Sequence, residues 1–201
     1  MKRRVVFAIA AAAFLATSAA PAPADYSVLI RGGTIYDGSG GAPYVGDVAL
    51  KGDRIVYVGP HAPGRAARVV DAAGKAVSPG FINMLSWANE SLIADGRGLS
   101  DTMQGVTLEV MGEGDSMGPW TPAMKRLEIQ RQGDIKFPIR WTTLGQYLEY
   151  MQRRGITPNV TSFVGATTVR VHELGEKDVD PTPAQLNRMR SLVRQAMKEG
   201  A

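Results

Sequence analysis

Polar side chains that could do chemistry gather in two short segments, each of which follows or overlaps an apolar run. They are residues 87–91 (WANES), after the run at 81–85, and residues 109–115 (EVMGEGD), which begin within the run at 106–111 and continue past its end. The apolar runs predict buried strands, and loops at strand ends are where α/β folds place their binding and catalytic groups. The chain has two histidines, His61 and His172, and no cysteine. A metal centre made by this chain alone would therefore have to rest mainly on carboxylates.

The composition and motifs exclude several function classes. Without cysteine there are no disulfides, zinc ribbons, thiolate metal sites or cysteine nucleophile. The sequence also lacks a phosphate-binding loop, a dinucleotide fingerprint and a nucleophile-elbow motif. Its hydrophobic fraction of 44% and charged fraction of 21% are ordinary for a folded globular protein, which argues against disorder.

The elements that precede the polar segments fall into two patterns. Residues 25–78 consist of β-branched runs separated by turn pairs such as Gly52-Asp53, which favour hairpins. This part predicts a small β-rich domain, either an antiparallel sheet or half of a sandwich. From residue 79 onward, apolar runs at 81–85, 106–111 and 160–165 predict strands that alternate with helices.

Two helices are predicted most clearly in the second part. Residues 141–154 carry apolar side chains at helical spacing, and residues 182–198 open with Thr182, a proline and Gln185, which is a capping-box pattern. Residues 112–140 predict a long loop insertion. A complete (β/α)8 barrel takes ~200–250 residues, so residues 79–201 predict only part of one. The expected fold class is α/β.

Several segments, taken in order, resemble a known family. Four of them resemble the amino-terminal region of the amidohydrolase superfamily, and two more resemble its N-acyl-D-amino-acid deacylase (D-aminoacylase) branch. The first four are residues 28–38 (VLIRGGTIYDG), 47–55 (DVALKGDRI), 70–75 (VDAAGK) and 77–82 (VSPGFI), and the other two are residues 105–112 (GVTLEVMG) and 163–170 (FVGATTVR).

That resemblance implies a small β-sandwich joined to a metal-dependent (β/α)8 barrel, of which this chain holds the amino-terminal portion. It implies hydrolysis of an amide C–N bond in an N-acylated amino acid by a metal-bound hydroxide. A divalent metal, with zinc as the expected ion, is implied for the full-length relatives, as is a small-molecule amide substrate. No nucleic acid and no stable membrane anchor are expected, whereas exposed barrel edges predict self-association.

The chain departs from the family pattern at the metal-binding positions. The His-x-His motif of the family falls on Leu85 and Trp87, and the histidine of a Gly-His-x-x-x-Arg motif falls on Ala166. None of these three side chains can ligate a divalent metal. Where the branch carries a cysteine ligand, this chain has Gly114, and the flanking Glu113 and Asp115 could offer an oxygen in its place. Glu113 is therefore either a surviving metal ligand or a solvated loop carboxylate.

The other candidate residues each have a functional and a structural interpretation. Arg170 matches the family's arginine and could orient a substrate carboxylate, or it could form a structural salt bridge. Trp87 could form the floor of a substrate pocket, or it could simply pack. Glu109 is expected to be a structural group of the sheet. His61 is expected to lie on the surface.

A further histidine, His172, is followed directly by Glu173. The two could form a charge pair at a strand end, but an exposed loop pair is the favoured interpretation.

Residues 1–24 predict a cleaved signal peptide, with an uncleaved membrane anchor as the alternative. Lys2, Arg3 and Arg4 precede an apolar run at 5–16, which is shorter than the ~20 residues of a transmembrane helix. Cleavage would lower the net charge from +4 by these three charges to +1, so the basic balance predicts no nucleic-acid partner. The mature protein is expected to be periplasmic or secreted.

Three functional interpretations remain open from the sequence. The first is a C–N hydrolase related to N-acyl-amino-acid deacylases, truncated here and inactive alone. The second is a non-catalytic exported binding or scaffold protein derived from the same fold, which the lost histidines favour. The third is an unstable gene fragment.

Overall fold

The computed structural model describes residues 24–201, so the signal peptide predicted for residues 1–24 lies almost wholly outside the described residues and stays a prediction. The chain divides into two compact units, the first ending at Pro79 and the second spanning Gly80–Ala201. No helix within the described range combines the length and the hydrophobicity that a bilayer-crossing segment requires.

The first unit is a five-stranded sheet. Its strands are β1 (Tyr26–Ile35), β2 (Tyr44–Lys51), β3 (Arg54–Gly59), β4 (Ala66–Asp71) and β5 (Ala76–Val77). The strand order is β3-β2-β1-β4, with β5 also paired to β1. The neighbours β1–β2 and β2–β3 are antiparallel, but β4 and β5 run parallel to β1.

Of the two expected arrangements, the antiparallel sheet is therefore wrong, and half of a sandwich stays a prediction. After β3 the chain does not form another hairpin. Residues 60–65 instead carry it across the sheet to the far side of β1, so that β4 starts where β1 starts, with Ala66 opposite Tyr26. Leu29, Ala49 and Ala62 are at most 1% exposed and form the centre of this unit.

The second unit is a parallel sheet with helices after each strand. Its strands β6 (Phe81–Asn83), β7 (Val106–Met111) and β8 (Asn159–Ser162) are arranged in the order β6-β7-β8. The helices are α1 (Ser91–Ala94), α2 (Leu99–Thr102), α3 (Pro122–Arg131), α4 (Leu144–Arg154), α5 (Ala166–Leu174) and α6 (Pro183–Lys198). This succession of parallel strands and helices confirms the α/β class and the first part of a barrel.

Both predicted helices form. Helix α6 begins at its predicted capping box, whereas α4 begins at Leu144 and not at the predicted Trp141. Thr182 accepts a hydrogen bond from the backbone N–H of Gln185, whose side chain reaches back to the backbone of Thr182. Thr143 and Gln146 make the same capping box at the start of α4. Each box satisfies backbone donors that the first turn of a helix leaves free.

Part of the predicted loop at 112–140 is helical. It contains α3, where Thr121 Oγ1 accepts a hydrogen bond from the Met124 N–H at 3.2 Å and Pro122 takes the first helical position. The apolar residues of α3 do not gather on one face of the helix, so a periodicity analysis finds no apolar stripe there. Its Thr-Pro start is the signal, shared with α6, that could have predicted it.

A cluster of aromatic and apolar side chains holds α4 against β7. Trp141 is 1% exposed, and its ring centroid lies 5.2 Å from that of Tyr147 and 6.1 Å from that of Phe137. Tyr147 also donates a hydrogen bond to the backbone oxygen of Asn89 at 2.9 Å. Full burial of one such large side chain contributes about 1.5–3 kcal/mol, so this cluster fixes the framework that carries the strand-end loops.

Candidate functional site

The carboxyl ends of β6, β7 and β8 surround a depression of about 480 Å³. All three strands are parallel, so their carboxyl ends meet at one edge of the sheet. The residues that line the depression are Met84, Leu85, Gly112, Glu113, Gly114, Phe163, Val164 and Ala166. Positions that lie far apart in the sequence, and that match the family's metal motifs, thus share one surface.

The loop after β6 leaves its apolar side chains facing outward. Ser86 is 5% exposed, and its backbone N–H donates to the Val110 oxygen at 2.9 Å. This bond anchors the loop to β7. Leu85 and Trp87, on either side of the anchor, are 52% and 70% exposed.

Two glycines allow the loops after β7 and β8 to approach each other closely. Gly112 has φ +81°, and a Cβ there would clash with the Ser162 side chain and the Phe163 backbone. A Cβ at Gly165 would clash with the backbone of Gly114. A larger residue at either position would push the loops apart, because one position needs a left-handed backbone and both lack space.

Buried hydroxyl groups lock the same two loops together. The Ser116 hydroxyl donates to the Gly118 oxygen at 2.6 Å and accepts from the Gly165 N–H at 2.9 Å. The Ser116 N–H donates to the Thr168 hydroxyl at 2.8 Å. Both side chains are 3% exposed. Sequence analysis missed these two positioning residues, since an isolated serine or threonine in a loop gives no pattern.

Glu113 is exposed at the rim of the depression. It lies next to the position at which the family resemblance implies a metal ligand. It is the one ionisable side chain among the lining residues. Across residues 24–201, no three His, Asp or Glu side chains come together in a group that could hold a metal ion. With Leu85 and Ala166 as its neighbours, the donor set does not fit a divalent metal, which needs about three protein ligands in a catalytic site.

The two predicted substrate-binding residues lie apart from this depression. Trp87 is exposed and does not line it, although it follows Ser86 directly. Arg170 lies on α5, where its Nη2 donates to the backbone oxygens of Val179 at 2.7 Å and Lys177 at 3.2 Å. The guanidinium thus holds the segment after α5, and substrate binding by either residue stays a prediction.

His172 and Glu173 lie on α5, so the expectation of an exposed loop pair is wrong. His172 Nδ1 is 3.6 Å from Glu173 Oε1, and Arg188 Nε on α6 donates to Glu173 Oε2 at 2.7 Å. Glu173 is 11% exposed. The Glu173 carboxylate thus links α5 to α6 through Arg188. His61, in contrast, is 79% exposed, as expected.

The chain is similar to known deacylases over nearly its whole length. It is 36% identical over 188 residues to the N-acyl-D-aspartate deacylase of Alcaligenes xylosoxydans xylosoxydans, covering 90% of this chain and 36% of the relative. It is 28% identical over 179 residues to the D-aminoacylase of the same organism, covering 88% and 36%. The chain therefore spans about a third of the length of these relatives. No protein-family model matches it.

Solved structures give the same result for the fold. A D-aminoacylase structure described for its binuclear metal centre matches with a TM-score of 0.77 and 30% identity, over 88% of this chain and 37% of that one. Metal dependence is thus a property of the longer relatives. At the positions where a metal would be expected, this chain carries Leu85, Trp87 and Ala166.

Proposed function

The chain corresponds to the amino-terminal part of the N-acyl-D-amino-acid deacylases of the amidohydrolase superfamily, and we propose that it serves as part of an amide-bond hydrolase that acts on N-acylated amino acids. The depression at the ends of β6, β7 and β8 is the observation that supports this function. It brings Leu85, Glu113 and Ala166 to one sheet edge, the edge on which barrel enzymes build their sites.

Residues 24–201 are not sufficient for hydrolysis in this proposal. Attack on an amide requires an activated water and a polarised carbonyl. The depression offers one exposed carboxylate, Glu113, among apolar and glycine neighbours. Further ligands and a catalytic base would have to come from a longer protein, whose substrate would be a small N-acylated amino acid. The leader-like residues 1–24 support a site of action outside the cytoplasm.

The second candidate function is a non-catalytic exported binding protein. The apolar replacements favour it, because Met84, Leu85, Phe163 and Ala166 line a depression of about 480 Å³. Small-molecule pockets of ~300–1,000 Å³ with mostly apolar walls bury the apolar part of a ligand. Such a protein would keep the fold and the position of the pocket but would lack the metal ligands that hydrolysis requires.

One experiment separates the two candidates. Hydrolysis of N-acetyl-D-aspartate and bound metal would be measured for the chain without its leader and for a protein extended through the adjoining reading frame. We expect turnover and metal in the extended protein alone. Turnover or stoichiometric metal in the shorter protein would contradict the proposal, and absence of both from the extended protein would support the binding function.

A matched pair of variants tests Glu113 in the extended protein. If Glu113 is a ligand, Glu113→Gln lowers the metal content and the turnover together, since an amide binds a divalent metal more weakly than a carboxylate. Asp134→Asn, at an exposed carboxylate after α3 and outside the depression, is the control. Unchanged metal content in Glu113→Gln would leave Glu113 as a solvated loop carboxylate.

A further inference from the structure

Glu109 is the most deeply buried carboxylate among the described residues, and it has no hydrogen-bond partner at Oε2. It lies in the middle of β7 and is 1% exposed. A buried carboxylate normally has a cation or several N–H donors around it, because the loss of hydration is otherwise uncompensated. None of the side-chain hydrogen bonds or ion pairs of the described chain involves this group, so a cation that reached it would find an unpaired acceptor.

The side chain of Glu109 lines a cavity of about 240 Å³ next to the short helices α1 and α2. This cavity is separate from the depression at the strand ends, with which it shares no lining residue. Asp95 and Asp101 also line it, so its three ionisable groups are all acidic. The Arg97 guanidinium is bonded to Asp95, with Nη2 at 2.7 Å from Oδ2, which leaves Glu109 without a cation.

The remaining lining residues indicate what kind of cation fits. Leu92, which is 2% exposed, and Leu99 offer apolar contact, whereas Ser91 and Ser100 add hydroxyl groups. A water molecule takes up ~30 Å³ in the liquid, so the cavity has room for a short alkyl chain and a few waters. It is smaller than a drug-sized pocket of ~300–1,000 Å³.

The arrangement of the donors does not form a three-ligand metal site and favours a nitrogen cation. The described residues contain no group of three His, Asp or Glu side chains that could hold a metal ion, and this applies to Glu109, Asp95 and Asp101. A primary ammonium group needs fewer charged partners, since its three N–H donors are directional and hydroxyl or carbonyl oxygens can share them.

We propose that this cavity binds a small primary ammonium compound whose nitrogen pairs with the Glu109 carboxylate and whose carbon atoms contact Leu92 and Leu99. The site is independent of the proposed hydrolase function. A ligand that binds the folded state alone raises the melting temperature, in proportion to the logarithm of its concentration once its dissociation constant is exceeded.

Thermal unfolding of the 201-residue chain tests the proposal with methylammonium and tetramethylammonium chloride at equal ionic strength. We expect methylammonium to raise the melting temperature in a saturable manner and calorimetric titration to detect its binding. Tetramethylammonium carries the same charge but no N–H donor and should do neither. An equal response to both ions would overturn the proposal, because it would reveal only a general salt effect.

Two substitutions separate a binding role of Glu109 from a structural one. Glu109→Gln should abolish the methylammonium response while melting no lower than the unmodified chain without amine. Glu128→Gln, a carboxylate on α3 outside the cavity, should keep the full response. If Glu109→Gln does not fold, Leu99→Trp at the cavity mouth should suppress the response with Glu109 intact. A response retained in the folded Glu109→Gln variant, or in Leu99→Trp, would overturn the proposal.

Discussion

At the scale of single residues, Asp47 is a buried carboxylate whose two oxygens both accept hydrogen bonds. It is 3% exposed, and its two oxygens accept from the Gly32 N–H at 2.9 Å and the Ala62 N–H at 3.0 Å. Burial by itself raises the pKa of Asp47. The two backbone donors, with His61 and Arg31 nearby, outweigh it and hold the pKa below the usual 3.8.

The depressed pKa of Asp47 predicts a pH dependence of stability. Its contribution is complete above the unfolded pKa of ~3.9 and is lost as the pH falls through the lower folded value, because the unfolded state then binds the proton first. Asp47→Asn should lower the unfolding free energy at pH 7 by about 2 kcal/mol and flatten the slope below pH 4.

Urea unfolding between pH 7 and pH 2.5 measures both effects. Asp53→Asn, in the exposed turn between β2 and β3, is the control and should retain the wild-type slope. An Asp47→Asn variant with unchanged stability and slope would show that the two N–H bonds contribute nothing net.

At the scale of elements, local sequence signals determine the start of helix α6, and tertiary contacts fix its far end. Its start is set by the Thr182–Gln185 capping box, which involves adjacent residues alone. Its far end is tied to α4, since Glu199 accepts from the Gly145 N–H at 3.1 Å and from Gln195 at 2.9 Å. The start of the helix was therefore predictable, whereas the contact with α4 was not.

Removal of the cap at Thr182 should destabilise the protein. Thr182→Ala leaves the first-turn N–H of Gln185 without its partner and should lower the unfolding free energy by about 1 kcal/mol. Ser191→Ala, in the exposed middle of α6, should change it by less than ~0.5 kcal/mol. Urea denaturation of both variants measures the difference, and equal values would mean that the box does not stabilise the helix in this fold.

At the scale of the whole molecule, the described chain exposes an unusual amount of apolar surface on and next to the edge strand β6. The exposed fractions are 59% for Phe81, 55% for Ile82, 61% for Met84, 52% for Leu85 and 70% for Trp87. Both β6 and β8 have only one neighbour in the described sheet. Unpaired strand edges beside apolar patches favour association between molecules.

We expect residues 25–201 to self-associate at micromolar concentration. Ile82→Lys should shift sedimentation toward the monomer, because a charge on the edge strand resists pairing. Ile129→Lys, at a residue that is 50% exposed on α3, is the matched control and should not change the assembly. A wild-type monomer with a sharp cooperative melt would refute this expectation.

The sequence by itself determined the α/β class, the approximate positions of the strands, the start of α6 and the family. These follow from residues close together in the chain: periodicity, capping pairs and ordered short segments such as residues 77–82. The sequence also showed that Leu85 and Ala166 replace metal ligands of the family. This required only the alignment of a short motif with the chain.

The tertiary structure alone decided which distant residues meet. Strand pairing brings Leu85, Glu113 and Ala166 to one depression, carries β4 to the far side of β1, and buries Glu109 in the wall of a separate cavity. None of this is encoded in local propensity, since a strand pattern does not state its neighbour. Only the assembled sheets therefore determine which charged side chains line each pocket.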